Sequence, residues 1–170
     1  MSSTSTGRLN IQMEARRLRD QAVGVGSVRP TPVVAIAQSL GYAVSEFDQS
    51  DETQGVLGAI SHNPKAIYVS ADQISGRKRF TIAHEIGHAV LHADEIEGEG
   101  IVDYRGDLQY GYAAQGREYE ANQFAAALLM PSDVFESLWI AYGQDLRSVA
   151  EHLEVSVESA RYRAKNLGLV

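Results

Sequence analysis

The chain has 170 residues, 44% of them hydrophobic, which fits one globular domain with a core large enough to support itself. It has no cysteine, which excludes a disulfide framework and a thiolate metal site, and its net charge of -7 argues against nonspecific nucleic-acid binding through a global positive field. No apolar run approaches the about 18 residues of a transmembrane helix, and residues 1–7 are small and polar, so we expect a cytoplasmic protein in which residues 1–7 are disordered.

The first half of the chain predicts two helices followed by three short strands. Residues 8–23 repeat apolar side chains at helical spacing. A second helix is predicted to have Thr31 as its N-terminal cap and Pro32 at its first position, and to stop at Gly41. Strands are then predicted at 42–47, 55–61 and 66–70. A turn-forming sequence separates the last two strands, so we expect a hairpin and a small, mainly antiparallel sheet.

The next predicted helix carries the most informative motif, His84-Glu85-Ile86-Gly87-His88. Residues four apart on a helix lie on one face about a turn apart, so both imidazoles can reach one metal ion. Glu85 lies about 100° round the helix from His84, near the metal but outside the ligand pair. Flanking apolar residues predict burial on more than one side. Gly87 costs about 1 kcal/mol against alanine in a helix, which indicates that another backbone packs closely there.

A zinc site with two histidines of this kind needs a third protein ligand and an open position for water. Residues 118–130 are rich in alanine and leucine and end at Pro131, which predicts a second helix that offers the ligand. Glu118 and Asn122 share one face, so one can bind the metal while the other hydrogen-bonds the far nitrogen of a ligating histidine. We predict Glu118 as the ligand, with Glu120, ~200° away, as the fallback; the alternative for both is an ordinary acidic first helical turn.

Both motifs together resemble those of the ImmA/IrrE metallopeptidases. The matching segments are residues 79–92, which contain the histidine motif, and Glu118–Pro131. The resemblance covers about residues 30–135 and is far more specific than the first motif alone. It implies an α+β fold of the zincin-like type, in which a small, mainly antiparallel sheet packs on the motif helix and further helices follow.

The resemblance also implies a role for each motif residue. It makes His84, His88 and Glu118 the ligands of Zn²⁺, makes Glu85 the general base, and makes a helix-turn-helix repressor encoded nearby the usual substrate. A donor for the developing oxyanion is not singled out. The candidates are Tyr104, Tyr110, Tyr112 and His92. His92 lies ~12 Å along the helix axis from His84, so we expect it to close the helix rather than to bind the metal.

Two segments near the motifs have open roles. Residues 94–107 are acidic and rich in glycine, which predicts a long loop beside the cleft. The loop either steers a basic substrate toward the site or is a solvated loop with no such role. The strand at 65–70 either accepts an extended substrate by strand addition, as the resemblance suggests, or is a plain core strand.

The C-terminal region predicts helices only. Ser132 has the residue type of a cap for a helix that reaches Gly143. Residues 143–170 then form a helical subdomain, within a single metallopeptidase domain of residues 1–170, whose two short helices around 154–155 have the outline of a helix-turn-helix. Its basic and acidic residues are equal in number, namely Arg147, Arg161, Arg163 and Lys165 against Asp145, Glu151, Glu154 and Glu158. This balance favours a packing or docking unit over DNA readout.

Two functions therefore remain after the sequence analysis. The first is a zinc endopeptidase that cleaves a partner repressor, and so derepresses a mobile element, a stress response or a toxin-antitoxin-like operon. The alternative is a regulatory module that acts by partner or DNA association through residues 145–170. A purely structural metal at His84 and His88 would need a fourth protein ligand, because structural zinc sites are closed, and the sequence offers none.

Overall fold

A computed structural model describes the backbone of residues 3–96, 101–104 and 112–170, and the side chains of residues 7–94, 96 and 116–170. The described residues form eight helices and four strands. Their order is α1 (Ser3–Val23), α2 (Val33–Ser39), β1 (Ala43–Phe47), β2 (Val56–His62), β3 (Lys65–Ser70), α3 (Ser75–Leu91), α4 (Ala93–Ile96), β4 (Ile101–Tyr104), α5 (Tyr112–Leu129), α6 (Ser132–Ala141), α7 (Leu146–Leu153) and α8 (Val157–Asn166).

Helix α1 is longer than predicted. It begins at Ser3, so the backbone of residues 3–7, expected to be disordered, is helical, while residues 1 and 2 lie outside the described part of the chain. Each residue added to a nucleated helix gains one backbone hydrogen bond, so a polar start can continue a helix that packing has formed downstream. Ile11, Ala15 and Leu18 supply that packing because they are buried in the core.

The four strands form one mixed sheet in the order β1-β3-β2-β4. Strand β2 runs antiparallel to both β3 and β4, and β1 runs parallel to β3. The predicted hairpin is therefore present, with His62 opposite Lys65 at its turn. The prediction of an α+β fold with a small, mainly antiparallel sheet beside the motif helix is confirmed.

Helix α3 lies between the sheet and α5. Its residues from Thr81 to His88 are all buried, and it contacts β2 and β3 on one side and α5 on the other. A Cβ atom on Gly87 would lie 3.2 Å from the Cα and O atoms of Ala121 and 3.2 Å from Cβ of Phe124. The close backbone approach predicted from Gly87 is therefore present, and it brings α3 and α5 near enough to share a site.

Two predicted helix caps are wrong. Pro32 and Pro131 occupy the cap positions of α2 and α6, and neither helix has a side-chain cap. The Thr31 hydroxyl instead donates to the Leu128 carbonyl at 2.7 Å and accepts a hydrogen bond from the Arg19 guanidinium at 3.1 Å. Thr31 is fully buried, so its hydroxyl satisfies two buried groups from other elements instead of its own helix.

The two C-terminal helices, α7 and α8, pack against α3 through the turn that joins them. A Cβ atom on Gly76, in the first turn of α3, would lie 3.0 Å from the backbone N of Ser156. The Arg79 guanidinium donates to the carbonyls of Glu154, at 3.0 Å, and Thr31, at 2.9 Å, and burial lowers its pKa. Arg163, one of the four basic residues of this region, is buried and donates to the Met130 carbonyl at 2.8 Å. It therefore holds α8 against the end of α5 and is turned away from solvent.

We expect the Arg163→Met variant to be less stable than the wild type. Methionine keeps the aliphatic length but leaves the buried Met130 carbonyl without its donor, which should lower the free energy of unfolding by about 1–3 kcal/mol. Urea denaturation measures this change, with Arg161→Met, at an exposed position of the same helix, as the matched control. Equal stability of the two variants would contradict the assignment of Arg163 to packing.

Within residues 3–96, 101–104 and 112–170, no single helix combines the length and the apolar composition needed to cross a membrane. Gly116–Leu129 and Ser132–Ala141 reach those values only when taken as a pair, and the two are bent by 49°.

Candidate metal centre

Three of the predicted site residues come together where α3 and α5 approach each other. His84 and His88 project from α3, and Glu118 projects from α5. Because α5 begins at Tyr112, Glu118 and Glu120 lie beyond its first turn, and the alternative of an acidic first helical turn is wrong. The Nε2 atoms of the two histidines lie 3.0 Å apart. The Glu118 carboxylate lies 3.0 Å from Nε2 of His84 and 3.2 Å from Nε2 of His88. Both histidines are buried, so the donor groups of the three residues converge at a largely buried site.

The outer nitrogen of His84 has the partner expected from the spacing of Glu118 and Asn122. The Nδ1 atom of His84 lies 2.8 Å from Oδ1 of Asn122. An amide oxygen accepts hydrogen bonds, so Nδ1 carries the hydrogen and Nε2 keeps its lone pair for a metal ion. Asn122 thus selects the ring tautomer of His84 that can bind a metal.

Glu120, the fallback ligand, lies outside this cluster. Its carboxylate accepts a hydrogen bond from Nε2 of His92 at 2.9 Å and is half exposed. His92 is the C-cap residue of α3, as predicted, and its Nδ1 atom contacts Nδ1 of His88 at 3.0 Å. Because both ring nitrogens of His92 are engaged, it is a poor donor for an oxyanion. The other candidates, Tyr104, Tyr110 and Tyr112, have side chains outside the described residues.

Glu85 is completely buried and faces β2. A Cβ atom on Gly58 of β2 would lie 2.8 Å from Oε1 of Glu85 and 2.6 Å from Cγ2 of Thr81, both too close for ordinary contact. The Thr81 hydroxyl donates a hydrogen bond to Oε1 of Gln73 at 2.9 Å. Gly58 therefore provides the space that the Glu85 carboxylate occupies. Sequence reasoning did not single out Gly58, although a glycine inside a strand pattern is a signal for close approach.

The strand at 65–70 is not available for strand addition. It is β3, and the backbone of β3 pairs with β1 on one side and with β2 on the other. Of the described strands, β1 and β4 lie at the edges of the sheet. The acidic segment 94–107, predicted as a long loop, includes the helix α4 (Ala93–Ile96) and the strand β4 (Ile101–Tyr104), so the loop prediction is wrong at these residues. Glu97, Glu99 and Asp107 lie outside the described residues.

A comparison with models of protein families identifies the family of the chain. A model of the Peptidase M78 family, described as the IrrE N-terminal-like domain, matches residues 37–165. The chain belongs to this family. The resemblance noted for the two motifs is thereby confirmed, and the matched segment includes α3, α5 and all four strands.

Curated relatives in the family carry a name that refers to proteolysis. The radiation response metalloprotease IrrE of Deinococcus radiodurans is 34% identical over 112 residues, which covers 62% of this chain and 32% of the relative. The protein of the same name from Deinococcus deserti is 36% identical over 109 residues, which covers 62% of this chain and 37% of the relative. The chain thus spans about a third of the length of these relatives.

A solved structure supports the fold. The chain is similar to a structure described as a Mycobacterium tuberculosis transcriptional regulator, with a TM-score of 0.66 and 20% sequence identity. The match covers 92% of this chain and 47% of the other. At this level of identity it is evidence for a shared fold only.

The cluster fits a transition-metal ion. For metal–ligand distances of about 2.0–2.1 Å, tetrahedral geometry separates the ligand atoms by about 3.3–3.5 Å, close to the separations in this site. His84, His88 and Glu118 provide ligand atoms that all lie within 4.8 Å of one another. Two imidazoles and one carboxylate also form the donor set of catalytic sites that leave one position open. The residues present are therefore suited to bind a metal ion.

Proposed function

We propose that the protein is a zinc-dependent endopeptidase that cleaves a helix-turn-helix repressor. The observation that carries the proposal is the position of Glu85, a buried carboxylate next in sequence to His84 of the three-donor cluster. A purely structural metal site would not need a further acid beside it. A carboxylate next to a histidine of such a donor set is the arrangement by which metallopeptidases hydrolyse peptide bonds.

His84, His88 and Glu118 would hold the metal, and Zn²⁺ is the ion that this donor set favours. When bound, the ion would polarise the scissile carbonyl and lower the pKa of a bound water to about 7. Asn122 holds the His84 ring in the tautomer whose Nε2 lone pair can bind a metal ion. The protein residues thus supply three ligands, and a fourth position on the ion would be taken by water or substrate.

Glu85 would carry the proton through the reaction. Its carboxylate would accept a proton from the attacking water and then donate it to the nitrogen of the leaving amine. The burial of Glu85 keeps bulk water from competing for that proton. Gly58 leaves the carboxylate enough space to lie between the sheet and α3.

The proposed substrate is basic and binds in an extended form. The resemblance to the ImmA/IrrE peptidases suggests a helix-turn-helix repressor, and the net charge of -7 on the chain would attract a basic DNA-binding protein. Strand addition to β4 is the favoured mode, because β4 is an edge strand that pairs directly with β2, the strand of Gly58. Strand β1, the other edge, is two strands away from β2.

The metal dependence of cleavage tests this proposal. We expect the purified protein to bind about one zinc ion per chain, since the described residues contain one three-donor cluster, and to cleave a helix-turn-helix regulator encoded beside it. Removal of the metal with a chelator should abolish cleavage, and one equivalent of zinc should restore it. The Glu118→Ala variant should lose both zinc and activity, whereas Glu136→Ala, at an exposed position of α6, should lose neither.

Cleavage that continues in the metal-free protein would overturn the proposed mechanism. A protein that binds zinc but leaves the regulator intact would overturn the proposed substrate. Mass spectrometry of the products locates the bond that is cut. Cleavage of the same bond by the Glu118→Ala protein would reveal a contaminating protease.

A further inference from the structure

The rings of His88 and His92 and the carboxylate of Glu120 form a continuous hydrogen-bonded row at the end of α3. Nδ1 of His88 lies 3.0 Å from Nδ1 of His92, and Nε2 of His92 lies 2.9 Å from the Glu120 carboxylate. His92 is buried, with 7% of its surface exposed, whereas half of the Glu120 side chain is in contact with solvent. The row therefore leads from the metal-binding cluster to the protein surface.

Only one arrangement of hydrogens lets His88 bind a metal within this row. If Nε2 of His88 is a ligand, the hydrogen of that ring is on Nδ1, and Nδ1 must donate to His92. Nδ1 of His92 must then be an acceptor, so His92 carries its hydrogen on Nε2. That hydrogen meets the Glu120 carboxylate, which accepts but cannot donate when it is ionised.

We propose that His92 and Glu120 are positioning residues that hold His88 in its metal-binding tautomer and orientation. Glu120 selects the Nε2–H tautomer of His92, and His92 in turn accepts the Nδ1 hydrogen of His88. Asn122 performs the same task for His84 with a single side chain. The inference rests on the metal site of the proposed function and extends it to two residues that are not ligands.

Glu118 and Glu120, both on α5, contact different parts of this row. Glu118 contacts both histidine Nε2 atoms, while Glu120 contacts only the outer side of the row. A simple helix-capping role for His92 would need only its backbone N–H, which donates to the His88 carbonyl at 2.9 Å. The ring contacts of His92 are additional to that cap, and they are the contacts that the experiment removes.

Zinc affinity of His92 variants tests the inner half of the row. Competition with a chromophoric zinc chelator should show that His92→Leu weakens zinc binding by about 10- to 100-fold, as loss of a partner behind a ligating histidine does. His92→Asn should recover most of the affinity, because its amide oxygen can take the place of the Nδ1 acceptor. Both variants keep the backbone cap, and thermal melts of the metal-free proteins check that each is folded.

Two substitutions of Glu120 test the outer half. Glu120→Gln and Glu120→Met both remove the negative charge, and their side chains are similar in length, but only glutamine keeps an oxygen that can accept from His92. We expect Glu120→Gln to keep a zinc affinity within about threefold of wild type. Glu120→Met should bind zinc about tenfold more weakly, the smallest loss expected when a partner behind a ligating histidine is removed. Equal losses in the two variants would mean that charge, not the hydrogen bond, is what Glu120 contributes, and would overturn its part in the proposal.

The ring tautomers can be read directly in the zinc-loaded wild type. Long-range ¹H–¹⁵N correlation spectra should show hydrogen on Nδ1 of His84 and His88 but on Nε2 of His92. Hydrogen on Nδ1 of His92, or equal zinc affinity of wild type and His92→Leu, would overturn the inference while leaving the metal site intact. Failure of the wild type to bind zinc would instead overturn the proposed function, and the inference with it.

Discussion

Replacement of Glu85 by glutamine is expected to abolish cleavage while leaving zinc bound. Glutamine has nearly the same shape as glutamate but cannot accept and return a proton in the way that a general base must. Loss of such a base lowers rates by about 10²- to 10⁴-fold. Because His84, His88 and Glu118 are unchanged, the zinc content should stay near one ion per chain. The single-turnover rate of regulator cleavage and the zinc content of the same sample measure the two effects.

The Glu85→Gln variant should also remain folded. Glutamine has nearly the same volume as glutamate, so at this fully buried position it should leave no cavity and cause no clash, and the melting temperature should stay close to that of the wild type. Glu136→Gln, which changes an exposed glutamate, is the matched control and should cleave like wild type. Cleavage by Glu85→Gln at the wild-type rate would remove Glu85 from the mechanism, even if zinc were bound.

Alanine at position 58 is expected to impair catalysis more than it impairs zinc binding. The added Cβ would lie 2.8 Å from Oε1 of Glu85 and 2.6 Å from Cγ2 of Thr81, so at least one of these side chains must move. Thr81 is buried and held by Gln73, so we expect the Glu85 carboxylate to shift. A displacement of about 1 Å in a catalytic group can cost about 10²-fold in rate. Measurement of kcat and KM together with zinc content tests this expectation.

Overpacking at Gly58 should also lower stability, by about 1–3 kcal/mol. Gly7→Ala, where an added Cβ would meet no atom within 4 Å, controls for the change from glycine to alanine. Thr81→Ser removes the nearer methyl group but keeps the hydroxyl for Gln73, so the double variant should regain part of the stability. A Gly58→Ala protein with wild-type kcat would show that Gly58 does not control the position of Glu85.

The parts of the site that were predictable depend on short stretches of chain. His84, Glu85 and His88 lie on one helix, and helical geometry relates their side chains whatever the rest of the chain does. The pairing of Asn122 with a ligating histidine was predictable for the same reason, because Asn122 and Glu118 are one turn apart. The buried, close-packed Gly87 is a further case, since a glycine that weakens a helix needs a compensating neighbour.

Several other outcomes depended on distant contacts, and only some of them matched the expectation. Strand β3 was a candidate for substrate pairing, but β1 covers its free edge in parallel, a pairing that no local pattern indicates. Thr31 and Ser132 have good cap residue types, yet Pro32 and Pro131 occupy the cap positions, and the Thr31 hydroxyl is used between elements. Arg163 is buried against the end of α5, which agrees with the packing alternative favoured for residues 143–170, although its partner Met130 could not be named from spacing.

The sequence by itself determined the family motifs, the helix that carries them and the residue types that can bind a metal, because these follow from composition and from spacing within one element. Tertiary structure alone decided that His92 and Glu120 continue behind His88 and that Gly58 makes room for Glu85. These relations join α3 to α5 and to β2 across the core. The rotation and separation of two packed elements depend on all the side chains between them, and no local spacing encodes them.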